Sequence, residues 1–374
     1  SKMSHEIMQT ENGQFAMAYR EGDPVPWHAG ETNPQTFQPG ASPAEIMQAA
    51  RLDYRVALFA NHRPNGEAIE DSYHIAMVEE PHTVFGPYVA GYWQAVQSES
   101  LLALGNRIEV EYGFQIATAG ALFGGSKVFL LLEAPESLSF TLPGNDRVKN
   151  FLLCTISHKG IESNKFVSCD TRVVCENTVQ AALSEGGGII THDHRVDFDL
   201  DVISTAIGLN AESFGEFADI AQRMAEKALS DIEALEYFRA VLGGKEKELD
   251  SGVLLPSVGV RRAVAFHKGK EFVPVGASDI GDVESYVADR LQAAALPADV
   301  VTAPVVDINP GHDLPSTRGT LWGAFNTLTW QADHAPTKNR GVDANVASNL
   351  LGEGTGGRTK KKALTEAVKI LEAA

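Results

Sequence analysis

The chain has 374 residues, 44% hydrophobic and 21% charged, which is ordinary globular usage and enough length for about two domains. No apolar run approaches the ~20 residues that cross a bilayer, the longest being Val128 to Leu132, and no basic segment leads into an apolar one near the N-terminus, so neither membrane insertion nor export is expected. The formal net charge of −18, from 31 Lys and Arg against 49 Asp and Glu, argues against indiscriminate polyanion binding.

The first forty residues are polar, carry Pro24, Pro26, Pro34 and Pro39, and read as an extended arm of the kind that packs on a neighbouring copy. A short helix is expected from Ser42 to Ala50, with Pro43 at its first position and Glu45 completing a capping box. Strand-like runs at Arg55 to Ala60 and Tyr73 to Val78, joined through Pro64, Asn65 and Gly66, predict a hairpin. Residues 94–104 read as a helix. Strands are expected at Glu109 to Ala117, Lys127 to Glu133, Asn150 to Thr155 and Lys165 to Cys169, followed by a helix from Thr171 to Ser184. From Ala211 to Leu242 apolar residues recur at helical spacing, predicting one long or one broken amphipathic helix ended by Gly243 and Gly244. Ala298 to Ser316, with three prolines, reads as a linker. Helices are expected from Leu321 to Ala332 and from Lys360 to Ala373. Hairpins first and long helices afterwards indicate an α+β fold, divided into an arm (1–40), a core (41–297) and a helical, basic C-terminal region (298–374).

Several words in this order, PWHAG (Pro26 to Gly30), LDYRVALF (Leu52 to Phe59), ATAGALFGGSKVFLLLE (Ala117 to Glu133), DTRVVCENT (Asp170 to Thr178) and RGTLWGAFNTLTWQADH (Arg318 to His334), resemble the phage/plasmid-like protein family. That is a domain-of-unknown-function family carried by bacteriophages, prophages and plasmids, and the resemblance runs from about Pro26 to the C-terminus. A more distant likeness is to phage single-strand annealing recombinases. Together they imply a phage protein in the bacterial cytoplasm that binds single-stranded DNA, self-associates into a ring or filament, and uses no cofactor.

Four groups of residues could carry chemistry. The glycine-rich GGSK (Gly124 to Lys127) and GGGII (Gly186 to Ile190) lack the spacing of a nucleotide-phosphate loop, and the first reads as a hairpin turn. In THDHRVDFDLD, His192 and His194 could face one side of a strand and, with Asp197 close by, suit a transition metal, with a polar strand edge and a helix cap at Asp199 or Asp201 as the plainer reading. Cys175 near a helix start could be a lowered-pKa thiol, although a buried structural role suits it better, and an odd set of cysteines (Cys154, Cys169, Cys175) fits reduced thiols. Arg172 and Asn177 beside it suit either a phosphate backbone or a fixed hydrogen-bond network.

The fourth group lies late in the chain. Residues 251–374 are charge-neutral, with 13 basic and 13 acidic residues, and they hold the densest cationic cluster, Arg358, Lys360, Lys361 and Lys362. With Arg318, Trp322, Asn326, Trp330, His334, Lys338 and Arg340 these supply a positive track and planar groups, the two ingredients of a single-strand binder. The competing reading places Trp322 and Phe325 in the core, because their spacing matches one helix face. The expected function is ATP-independent single-strand binding and annealing. The alternatives are a phage assembly or host-interaction protein, favoured by the acidic charge, and a metal-dependent nuclease or hydrolase built on His192 and His194.

Overall fold

The computed structural model describes residues 7–10, 12–26, 33–80, 83–86, 89–160, 162–172, 177–180, 189–209, 213–242, 252–255, 262–267, 271–276, 311, 314–334 and 354–373. The first half contains β1 (Met17–Arg20), β2 (Gln35–Phe37), α1 (Pro43–Ala49), β3 (Val56–His62), β4 (Ala68–Met77), α2 (Ser98–Tyr112), β5 (Gln115–Leu122), β6 (Lys127–Glu133), β7 (Phe140–Leu142) and β8 (Asp146–Ser157). The second contains β9 (Asn164–Arg172), β10 (Asn177–Gln180), β11 (Ile189–His192), α3 (Leu200–Leu209), α4 (Ser213–Glu226), α5 (Asp231–Leu242), β12 (Gly252–Leu255), β13 (Arg262–His267), β14 (Glu271–Gly276), α6 (Leu321–His334) and α7 (Gly354–Glu372). The class is α+β.

The main sheet has nine strands in the order β10, β9, β8, β6, β5, β1, β2, with β7 added to β8 and β11 to β9. Only the β1–β2 pairing is parallel among these. Because β6 is central, both its faces are covered: Val128, Leu130 and Leu132 point into a core shared with α1, α2 and α3, while Phe129 and Leu131 join Met17 and Leu153 on the other face. A strand buried on both sides reads as an unbroken apolar run, which is how Val128 to Leu132 stands in the sequence. Cys154 and Cys169 fall in these two different clusters, on opposite faces of the sheet. Burial pushes the Cys154 thiol well above its ordinary range.

Local chemistry explains several boundaries. Ser42 accepts from the Glu45 amide and the Glu45 carboxylate accepts from the Ser42 amide, so the expected capping box forms with Pro43 at its start. The hairpin of β3 and β4 also stands as expected, turning through Gly66 at φ 86°. The GGSK segment is a single 3-10 turn joining β5 to β6, with Gly124 and Gly125 both at positive φ. Ser230 forms a second capping box with Glu233, which is why the long amphipathic stretch is two helices rather than one. Into that break the entry to α6 docks: the Leu229 amide donates to Gly319 O and the Leu321 amide to Lys227 O, each at 2.9 Å.

Four expectations are corrected. The first forty residues hold two strands of the main sheet, and Met17 and Ala18 are fully buried, so this part is no arm. The helix expected over 94–104 begins at Ser98 and runs to Tyr112, taking up the start of the strand expected from Glu109; Gly113 in the left-handed region ends it. Within the helix expected over Thr171 to Ser184, residues 171–172 and 177–180 are strand and the rest lie outside the described residues: Arg172 pairs with Asn177 in the antiparallel β9–β10 ladder, and β10 and β11 occupy successive stretches of the same edge of β9. Finally, α6 and α7 share a second core with α4 and α5, so a division at residue 297 cuts through one packed unit. Gly243, Gly244 and most of 298–316 lie outside the described residues.

Candidate nucleic-acid interface

The late basic cluster lies on α7. Ala363, Leu364, Ala367 and Leu371 recur at helical spacing and are buried against α4, α5 and α6. The opposite stripe carries Arg358, Lys361, Lys362 and Lys369, which fall within about 100° of one another at 3.6 residues per turn and extend over about 16 Å of helix. Arg358, Lys361 and Lys369 are exposed, and Lys362 is half-buried. Lys360 sits on the other face and is only 4% exposed, so the expectation that it offers a phosphate contact is corrected. The first turn of α7 holds no acidic residue, Arg358 follows that turn directly, and Lys369 lies in the last turn.

The partners of α4 fix the direction of α7 relative to α6. Arg223, in the last turn of α4, donates to Leu371 O near the end of α7 at 3.0 Å, and Lys227, one turn further, accepts from Leu321 at the start of α6. The two helices therefore run antiparallel, which brings the basic half of α7 to the end of α6 that carries Trp330 and His334. Arg318 is exposed but lies at the other end of α6, roughly 20 Å away along that helix. The two cationic features are thus not one groove. Lys338 and Arg340 lie outside the described residues.

The planar residues of this region are mostly interior. Trp322 is 1% exposed, and Phe325 is fully buried, the two rings stacked at 5.7 Å with Phe217 against both. Asn326, 1% exposed, donates to Trp322 O at 2.8 Å. Trp322 and Asn326 therefore present no face for a base, and Trp330 is the partly exposed tryptophan of the pair. What anchors Trp322 could not be read from its neighbours in sequence: its indole N–H donates at 3.0 Å to Asp146 Oδ2, and the Ser316 hydroxyl donates to the same oxygen at 2.6 Å. Asp146 opens β8 and is fully buried.

The remaining predicted residues are placed as follows. Arg172 and Asn177 face each other across the hairpin, and Cys175 lies outside the described residues. His192 is buried, with Nδ1 3.1 Å from the Asn164 amide nitrogen and Nε2 3.1 Å from Asp197 O; the Asp197 side chain is exposed. His194 is buried with both ring nitrogens on backbone carbonyl oxygens. Among the described residues no group of three or more His, Cys, Asp or Glu is placed to hold a metal, so His192, His194 and Asp197 are not brought together as ligands. Asp199 instead caps α3, accepting from the amides of Asp201 and Val202. Two features beside these histidines were not expected: His158, buried with each ring nitrogen near a carbonyl, and the Lys127–Glu162 ion pair at 3.0 Å, in which Lys127 is 4% exposed. A histidine at the end of a largely apolar strand, as His158 stands after Phe151 to Cys154 and Ile156, was the available sequence signal.

No curated protein and no solved structure matches the chain. A model of a domain of unknown function, DUF932, matches residues 88–361, which takes in the main sheet from β5 to β11, the four-helix core as far as the first half of α7, and both His158 and His194. The match spans well over half the chain, and the protein belongs to the DUF932 family.

Proposed function

We propose that this protein is an ATP-independent single-stranded DNA binding and annealing protein of phage or mobile-element origin that acts as an oligomeric ring or filament. The observation that carries the reading is the cationic stripe of Arg358, Lys361, Lys362 and Lys369 on the solvent side of α7, in a chain otherwise dominated by acid. With Trp322 interior, contact falls on the backbone and the base edges stay free to pair, which is what annealing requires. The resemblance to phage annealing recombinases supports the same reading, and the glycine-rich turn of residues 124–127 gives no reason to add a nucleotide.

The test is the variant R358A/K361A/K362A, which leaves Lys360 and the buried face intact. Fluorescence binding of single strands across a salt series is expected to lose most of its affinity and about two units of log–log salt slope, since each phosphate contact on a single strand contributes ~0.7. Unchanged binding by a folded variant would remove this stripe from the reading. The acidic net charge supports a second reading, a phage assembly or host-interaction protein that contacts only other proteins. Ordered oligomers whose assembly ignores single-stranded DNA at both low and high salt would favour it. The metal-dependent hydrolase is not carried further, because its ligand set is not assembled among the described residues.

A further inference from the structure

We propose that His158 and His194 form an acid-operated latch, which holds the segment from Trp93 to Gln97 on the main sheet when both rings are neutral and releases it when they gain protons. The rings are 0% and 5% exposed. His158 sets Nδ1 3.0 Å from Gly125 O and Nε2 3.1 Å from Val96 O, while His194 sets Nδ1 2.9 Å from Gln94 O and Nε2 3.1 Å from Glu162 O. Each ring thus spans from the segment, at Val96 or Gln94, to the end of the sheet, at Gly125 or Glu162. The Gln94 amide returns a hydrogen bond to His194 O at 2.9 Å. Beyond the latch, the Gln97 carboxamide accepts from the Val56 amide at 3.0 Å and donates to Val56 O at 2.9 Å, so the segment also holds the β3–β4 hairpin.

A neutral imidazole has one N–H, so each ring can donate to only one of its two carbonyls. A proton would supply the missing donor, but the surroundings oppose the charge. His158 faces the Tyr54 ring edge-on at 6.3 Å, the Phe85 ring at 5.5 Å and His194 itself; the Tyr54 hydroxyl is already spent on Gly125 O. His194 stacks on Trp93 at 4.6 Å and faces His192 and Asp193. The neighbouring carboxylates are engaged elsewhere, Asp193 with Arg195 and Glu162 with Lys127, Lys159 and Ser157. Burial, and then the repulsion from a neighbouring histidine, outweighs the carbonyl contacts and holds both rings below the ordinary value of 6.5.

The sign follows from those directions. Rings whose pKa is depressed in the closed state bind protons on opening, so closure is at full strength above pH 6.5 and weakens as pH falls below it. Each ring that titrates only when released raises the opening constant about tenfold per pH unit, and the two together about a hundredfold. Hydrogen exchange of the Gln94 amide between about pH 7.5 and about pH 5, corrected for intrinsic rates, reads this directly. The expected result is a slope approaching two protons at Gln94, one proton in His158→Gln or His194→Gln, and none at the β6–β8 ladder over the same range. A flat response at Gln94, or the same slope at the ladder, overturns the latch. Should the variants not fold, the imidazole proton resonances of the unaltered protein decide: both rings are expected to titrate with midpoints below pH 6.5, and titration of either above that value overturns the proposal.

Discussion

Asp146→Ala is expected to destabilise the protein by about 3–5 kcal/mol, because it strands two buried donors and removes the group that ties β8 to α6. The carboxylate is fully buried at the start of β8, and one of its oxygens accepts from both the Trp322 indole and the Ser316 hydroxyl, residues 176 and 170 positions away. Alanine leaves two buried donors without that acceptor. Each such orphan costs ~1–3 kcal/mol. The loss should reach beyond the site, because Trp322 also packs on Phe217 and Phe325 and so holds α4 and α6 together. Denaturant titration followed by tryptophan fluorescence checks the magnitude, and Trp322→Phe combined with Asp146→Ala should show strong coupling. A loss under ~1 kcal/mol would mean that the carboxylate does not hold these donors.

How far the sequence discloses this structure depends on the range of the interaction responsible. The capping box at Ser42, the hairpin turn at Gly66 and the apolar run of β6 are local, and each stands where the residues indicate. The start of α2 was misplaced because Gln97 precedes it without a side-chain cap: its carboxamide is engaged by Val56 instead. The stretch after Asp170 suits a helix by its own composition, whereas pairing along β9 makes residues 171–172 and 177–180 strand, a tertiary override of local preference. The burial of Lys360 is legible in the sequence, since a 3.6-residue period places it with Ala363, Leu364 and Ala367 on the buried face. The reading of Trp322 and Phe325 as a core pair needed only their spacing. Asp146 as their anchor depends on a contact across 176 residues and has no signature in the sequence.

That contrast gives the second large effect, at Gly323. Read as a helix position alone, Gly323→Ala should stabilise α6 by ~1 kcal/mol, because alanine is the best helix former and glycine among the worst. The expected result has the opposite sign. A Cβ at Gly323 would lie 1.9 Å from Thr317 O, 2.8 Å from Thr317 C and 3.1 Å from its Cα, all backbone atoms. No flexible side chain can yield, and the turn cannot slide, since the Thr317 hydroxyl donates to Gly311 O or Leu314 O and the Leu229 amide holds Gly319 O. Pushing Gly323 outward would also break its amide bond to the Thr320 hydroxyl, which caps α6, and would draw Trp322 from Asp146. Overpacking of this kind against fixed backbone belongs at or above the upper end of ~1–3 kcal/mol, so a net loss of ~3 kcal/mol or more is expected in denaturant melts. Stabilisation by Gly323→Ala would show that the turn before α6 does not close on the helix, and with it would go the anchored position of Trp322.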